Sequence, residues 1–377
     1  MDDDQVITEI TQLRSDLSAF LRVPRQWQGG LRRSSQAKAI QGSNSIEGYT
    51  VTDADAAAAV LDDEPLTADE RTWREIQAHR QLMTFILAMA PQPMFRPDTQ
   101  TLRTMHFMLL NHDLSKTPGR YRTGAIYVQN DRGDNVYEGP DAALVPDLME
   151  SLAEELTRAP EVSTLVAAAM AHLNLVMIHP FRDGNGRMAR AVQTMVLAKD
   201  DILEPTFSSI EEWLGHNTED YYRVLAVTGA GGWHPARSTR LWVKFNLRAH
   251  HMQAQTVRRR FEDAERTLTQ LHALVDQRGL PERAIDALHL VTLGFRVSRP
   301  TYVEITGVEQ RTATRDLLDL AAADLLDAHG QTRGRYYTSG PDLRVLVQEL
   351  RTARRPVDDP YPTLSAELRM PLIEPTR

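Results

Sequence analysis

His179–Arg187, "HPFRDGNGR", holds a histidine, a carboxylate and two glycines within nine positions and closes on an arginine, and Arg190 follows three residues later. "EVSTLVAAAMAHLNLVMI" runs into it as a long apolar helix, and "NGRMARAVQTMVLAK" opens a second helix directly from its end. Asp-Gly-Asn-Gly between two helices reads as a tight turn, since glycine accepts backbone angles that strain other residues. The turn feeds a helix N-terminus, where free N–H groups and the positive end of the dipole converge on a spot suited to phosphate. Arg187 and Arg190 lie three apart on the new helix and share a face, so the site suits a polyphosphate. Asp183 stands where a carboxylate could hold Mg²⁺ against phosphate oxygens. His179 is the titratable base of the stretch, and its ordinary pKa of about 6.5 suits it to accept a proton from an incoming hydroxyl. Phe181 is expected to point into the core and fix the loop. Base, cradle and metal ligand must all reach one phosphorus atom, which accounts for their crowding.

The rest of the chain is ordinary in composition. Its 377 residues are 42% hydrophobic and 25% charged, enough for two domains and a substantial core. A net charge of −8 argues against a general binder of nucleic acid or anionic membranes. With no cysteine there is neither a disulfide framework nor thiolate chemistry. The opening "MDDDQ" is acidic where a secretory leader is basic, and the longest apolar run, Leu165 to Ile178, is too short to span a bilayer. The expectation is a cytoplasmic protein with no membrane partner.

Helical periodicity dominates, so the expected fold class is mainly α with a small β-hairpin flap and a C-terminal winged helix-turn-helix. Residues 1–95 read as helical, with breaks near Pro24, Gly29-Gly30 and Pro65, and residues 96–250 as a helical core. "RYRTGAIYVQNDRGDNVYEGP" mixes β-formers with turn signals and suits the flap. Residues 251–279 continue a polar periodic helix that starts near Leu247, the natural connector to residues 280–355. There three helices and a hairpin follow in winged-helix order. Residues 356–377, with Pro356, Pro360, Pro362, Pro371 and Pro375, are expected to be extended and poorly ordered.

"HPFRDGNGRMAR" resembles the Fic motif, HxFx(D/E)GNGRxxR, at every fixed position. The resemblance implies a helical Fic core that transfers AMP from ATP to a Tyr, Thr or Ser hydroxyl of a target protein and of the chain itself, with Mg²⁺. His179 would be the base and Asp183 the metal ligand. Gly184, Asn185, Gly186 and Arg187 would cradle the α- and β-phosphates, and Arg190 would grip the γ-phosphate. Motif variants with lysine in place of Gly186 form a kinase-like branch, which the intact glycine disfavours.

"SNSIEGY" resembles the family's inhibitory pattern (S/T)xxxE(G/N), with Ser43, Glu47 and Gly48 in the fixed places. This implies that Glu47 pairs with Arg190 and blocks a productive ATP pose. In one branch of the family the same glutamate orients a water that removes AMP. The flap resembles a target-docking hairpin, with Ile126, Tyr127, Val128 and Gln129 pairing with an extended target strand. Tyr221 and Tyr222 match adjacent tyrosines near the adenine; on residue type alone they read equally as packing aromatics.

Residues 280–355 are similar to winged-helix modules attached to many Fic proteins. Gln310, Arg311, Thr312, Thr314 and Arg315 would start a recognition helix, with Arg333 and Arg335 on the wing. Between Pro281 and Arg355, 11 arginines and no lysine stand against 10 acids, faint support for DNA. Protein docking or a homodimer is as good a reading. Three functional alternatives stand beside regulated adenylylation. One is a DNA-binding transcription regulator or toxin–antitoxin component that uses the core as a nucleotide sensor. The others are an enzyme using another nucleotide donor and one removing AMP.

Overall fold

The computed structural model describes residues 2–129, 132–199, 203–331 and 334–370. The fold is mainly helical, as expected. Four helices form the N-terminal part: α1 (Asp3–Leu21), α2 (Gln28–Ile46), α3 (Asp53–Leu61) and α4 (Glu70–Met89). Then come α5 (Thr99–Leu110), α6 (Val145–Thr157), α7 (Thr164–Ile178) and α8 (Asn185–Leu197). Short α9 (Pro205–Ser208) and α10 (Glu211–His216) lead to α11 (Thr218–Gly229) and the 38-residue α12 (Arg240–Gln277). Side-chain oxygens set several starts: Thr52, Asp69, Asp98 and Ser163 each accept a backbone N–H from the first turn of α3, α4, α5 and α7.

The α7–loop–α8 hairpin sits at the centre. Leu175, Ile178 and Phe181 pack with Met188, Val192 and Met195 against Leu82 and Ile86 of α4 and Leu102, Met105 and Leu109 of α5. The flap is β1 (Tyr127–Gln129) antiparallel to β2 (Asn135–Glu138), with Tyr127 opposite Glu138. A two-residue β3 (Gly231–Gly232) joins β2 in parallel, a contact the sequence did not announce. In the order β1-β2-β3 the flap strand β1 keeps one free edge.

The C-terminal part contains α13 (Ile285–Thr292), β4 (Val297–Ser298), α14 (Arg299–Thr306), α15 (Gln310–Ala322), β5 (Leu326–His329) and β6 (Tyr336–Ser339). The hairpin gains β4 as a third strand, in the antiparallel order β4-β6-β5. An additional helix, α16 (Pro341–Thr352), follows.

Three expectations are corrected. Gly29 and Gly30 do not break the chain but lie in the first turn of α2; a Cβ on Gly30 would come 2.8 Å from Leu293, so the glycine permits close helix packing. The helix expected as a polar connector is buried along its length, and Val257, Phe261 and Leu271 join Trp27 and Leu31 to Leu288 and Leu317 in one core. The tail expected to be poorly ordered is docked as far as it is described, ending in α17 (Leu364–Arg369). Tyr361, Leu364 and Leu368 are 5%, 1% and 3% exposed, and Arg248 holds Asp359 through Nε at 3.0 Å and Nη2 at 2.6 Å. The prolines make this stretch extended, but its apolar side chains have a groove to fill. Pro371 and Pro375 lie outside the described residues.

Candidate active site

His179 ends α7 in the left-handed region at φ +50°, where histidine is one of the tolerated non-glycine residues. Pro180 follows and has no N–H, so the Val176 carbonyl lacks its usual helical donor. The His179 imidazole fills that place, Nδ1 lying 3.1 Å from Val176 O. Nδ1 therefore carries the hydrogen and Nε2 keeps its lone pair. Burial holds the pKa below 6.5, with the Arg122 cation adding to the shift and the Val176 contact opposing it. The ring is a neutral base at neutral pH.

The loop is braced from inside. Phe181 is fully buried, as expected, and stacks on His106 at 3.6 Å between ring centroids. The Gly119 N–H donates to His106 Nδ1 at 2.8 Å, so His106 Nε2–H is the donor to Asp183 O at 2.9 Å. Asn185 turns its side chain back, accepting from Phe181 N and donating to Phe181 O. Gly184 takes φ +78° and lets the chain swing into α8, leaving the N–H groups of that helix's first turn facing outward.

Asp183 Oδ1 accepts from Gly184 N, and Oδ2 is 2.9 Å from Lys116 Nζ. Lys116 Nζ also reaches Glu75 Oε1 at 2.9 Å. Arg187, only 1% exposed, is ion-paired with Glu75, which also accepts from Tyr49 Oη at 2.7 Å. Its guanidinium is therefore held toward α4 rather than spread over the cradle.

Arg190, also 1% exposed, points to α2. Its Nε donates to Ser43 Oγ at 2.8 Å, and its Nη2 to Ser43 O at 3.0 Å and Glu47 Oε1 at 2.7 Å. Burial opposes its charge, yet the Glu47 carboxylate and Tyr221 raise its pKa. Its Nη1 is buried without a hydrogen-bond partner among the described residues. A Cβ on Gly186 would lie 2.5 Å from Glu47 Oε1 and 3.3 Å from that Nη1. The glycine, the orphaned donor and the carboxylate thus bound one small space above the start of α8, and Glu47 already puts an anionic oxygen in it. Gly48 at φ +84° ends the α2 turn behind Glu47.

Tyr221 and Tyr222 separate. Tyr221 is 1% exposed and lies beneath Arg190, its Oη 3.0 Å from His172 Nε2, so it packs in the core instead of lining an open adenine face. Tyr222 is half exposed and donates to Ile46 O at 2.8 Å, beside Glu47. Of the flap residues, Tyr127 and Gln129 are exposed and Ile126 and Val128 half-buried, and the Ile126 carbonyl is already bonded to Gly139 N. Arg122 ties the flap to the loop, donating through Nε to His179 O at 2.8 Å and through its backbone N to Pro180 O at 2.9 Å.

The His179 loop and the start of α8 lie in a segment that this chain shares with known proteins. Residues 96–197 match the Fic/DOC family. That segment is a Fic domain. Protein adenylyltransferase fic-1 of Caenorhabditis briggsae is 30% identical over 133 residues, 35% of this chain and 24% of that protein. Protein adenylyltransferase Fic of Drosophila yakuba is 29% identical over 209 residues, 52% of this chain and 39% of that protein. The chain thus spans well under half the length of these relatives. A crystal structure of a Fic family protein from Desulfovibrio desulfuricans G20 aligns over 90% of this chain and 96% of its own, with a TM-score of 0.57 at 22% identity. The shared Fic fold therefore extends beyond the matched domain.

Sequence reasoning missed Glu75, Lys116, Arg122, His106 and Glu211. Each touches or faces the motif from a distant segment, and none carries a local signal. Glu211 is 1% exposed and sits behind Arg190, its pKa pushed up to about 7 by burial against the pull of Arg190. In the C-terminal part Gln310, Arg311, Thr314 and Arg315 are exposed along α15, Thr312 is half-buried and Arg335 is exposed; Arg333 lies outside the described residues. No helix among the described residues is long and apolar enough to cross a membrane.

Proposed function

We propose that this chain is a protein adenylyltransferase, moving AMP from ATP to a protein hydroxyl and held in check by Glu47. The observation that carries the reading is the Glu47 carboxylate bonded to Arg190 within the space above Gly186. Any phosphate drawn there by α8 and by the free Nη1 of Arg190 must first displace it. An anion fits the orphaned donor, and a side chain larger than glycine at 186 would fill the cradle.

With Glu47 withdrawn, His179 Nε2 accepts the proton of the target hydroxyl as its oxygen bonds to the α-phosphorus. The bond to the β-phosphate oxygen breaks and pyrophosphate departs. Asp183 is the residue that would hold Mg²⁺: a single carboxylate beside a phosphate site suits that ion, which when bound neutralises charge developing on the phosphates. Lys116, already on Asp183, keeps the carboxylate oriented. The free edge of β1 would receive the target segment by strand addition. We read residues 280–355 as a winged helix, on the order of α13–α15 and the sheet β4-β6-β5, and the chain as cytoplasmic.

Intact mass of the Glu47→Gly form after incubation with ATP and Mg²⁺ is the test. A gain of one AMP, far slower in the parent and absent from the Glu47→Gly/His179→Ala form, is expected. Equal labelling of parent and Glu47→Gly would remove the brake, and no labelling of either would remove the transferase.

A further inference from the structure

A cavity of about 520 Å³ lies between α2, α12, α13 and α16, within the size range of small-molecule sites. None of its walls belongs to the His179 loop, Glu47 or α8. In a chain of net charge −8 its lining is cationic: Lys38, Arg260, Arg344, Arg351 and Arg354 stand against Asp53 and Asp263.

Three of these cations are already engaged. Arg260 is paired with Glu212, Nη1 to Oε2 at 2.8 Å; Arg354 Nε lies 2.6 Å from Asp263 Oδ2; Arg344 Nη1 donates to Ser339 O at 2.6 Å. The side chains of Lys38 and Arg351, from facing helices α2 and α16, make no hydrogen bond or ion pair among the described residues. Burial pushes the Lys38 pKa down and the Arg260 guanidinium adds to the effect, while the Glu212 and Asp53 carboxylates oppose it. An ammonium held among guanidiniums is a group that a multiply charged anion would relieve.

A second orphan faces the same space. His289 lines the cavity, is 3% exposed, and its Nε2 is buried without a partner. A buried nitrogen left unbonded is destabilising, and a ligand contact would relieve it. Leu293 and Phe295 give the cavity an apolar wall.

We propose that this cavity binds a small phosphate-bearing anion, held by Lys38 and Arg351 from opposite walls with His289 Nε2 as a third contact. Lys38 precedes Ser43 by five residues on α2, so the ligand would clamp the helix that ends at Glu47 to the C-terminal part.

Calorimetric titration of the full chain with pyrophosphate and, separately, with AMP tests this. Any binding at the start of α8, on the reading proposed above, is common to parent and variants, so the comparison isolates the cavity. The expected result is binding of at least one probe that weakens tenfold or more in Lys38→Met and in Arg351→Gln. Arg351 is exposed, so its replacement leaves the fold intact even if Lys38→Met does not. A response to pyrophosphate alone identifies a free phosphate compound, and a response to AMP a nucleotide; either supports the site. Binding of neither probe by the parent, or equal binding by parent and Arg351→Gln, overturns it.

Discussion

Because Pro180 cannot donate to Val176 O, the His179 imidazole does, and the base is left in one tautomer. Burial also lowers its pKa, so the neutral, accepting form persists below pH 6.5. Initial rates of AMP transfer by the Glu47→Gly form should therefore stay level from pH 8 down to pH 6.5 and fall only in more acid solution; a midpoint above 6.5 would contradict this. At Glu75 the neighbouring charges, and not burial, decide the shift. Burial would raise its pKa, but Arg187, Lys116 and Tyr49 outweigh it and hold the value at about 2, against 4.5 for a free glutamate. A depressed carboxylate contributes stability that is fully present above pH 4.5 and lost as pH falls toward 2. Removing its charge leaves Arg187 buried without a counter-ion, which costs about 3–5 kcal/mol. Urea unfolding should show Glu75→Gln weaker by that order at pH 7, with the gap to the parent narrowing at pH 3.

Helix α2 carries Ser43 and presents Glu47 from its C-terminal end, and its position depends on a glycine contact. A Cβ on Gly42 would meet the Glu211 carbonyl oxygen of α10 at 2.3 Å, and one on Gly215 would meet the Gly42 Cα at 2.6 Å. Backbone stands on both sides, so no side chain can yield. Overpacking of this kind costs about 1–3 kcal/mol, and Gly42→Ala should lower the melting temperature accordingly. Since the strain falls five residues before Glu47, the same variant should show more AMP transfer than the parent, measured by labelled ATP. The α7–loop–α8 element was legible because its signal is contiguous: an apolar helix, a glycine turn and a new helix start within one run of chain. The Gly42–Gly215 contact was not, since two glycines far apart in sequence reveal nothing until the helices are side by side.

At the scale of the molecule, one core crosses the expected domain boundaries. Trp27 and Leu31 of the N-terminal part, Phe261 of α12 and Leu317 of α15 belong to the same buried cluster. The C-terminal segment closes the other end: Tyr361 Oη donates to Asp3 Oδ1 at 2.8 Å, and Ser365 Oγ to Asp220 Oδ2 at 2.6 Å. Leu364 is 1% exposed, so Leu364→Ala should cost about 2–5 kcal/mol and shift thermal unfolding, whereas a loose tail would leave the curve unchanged. The mainly helical class, the hairpin flap and the order of the C-terminal helices could be read from periodicity and turn residues. The docked tail could not, because proline content reports local stiffness and says nothing of a groove that other segments build.

The sequence by itself determined the chemistry of the loop: the base, the acid, the glycine turn and the two arginines act through spacings of a few residues that local geometry enforces. Tertiary structure alone decided where each arginine spends its charge, Arg187 on Glu75 and Arg190 on Glu47 and Ser43. Those partners lie more than a hundred residues away along the chain. Electrostatic pairing depends on distance in space, and only the packing of α2 and α4 against α8 brings these carboxylates within reach.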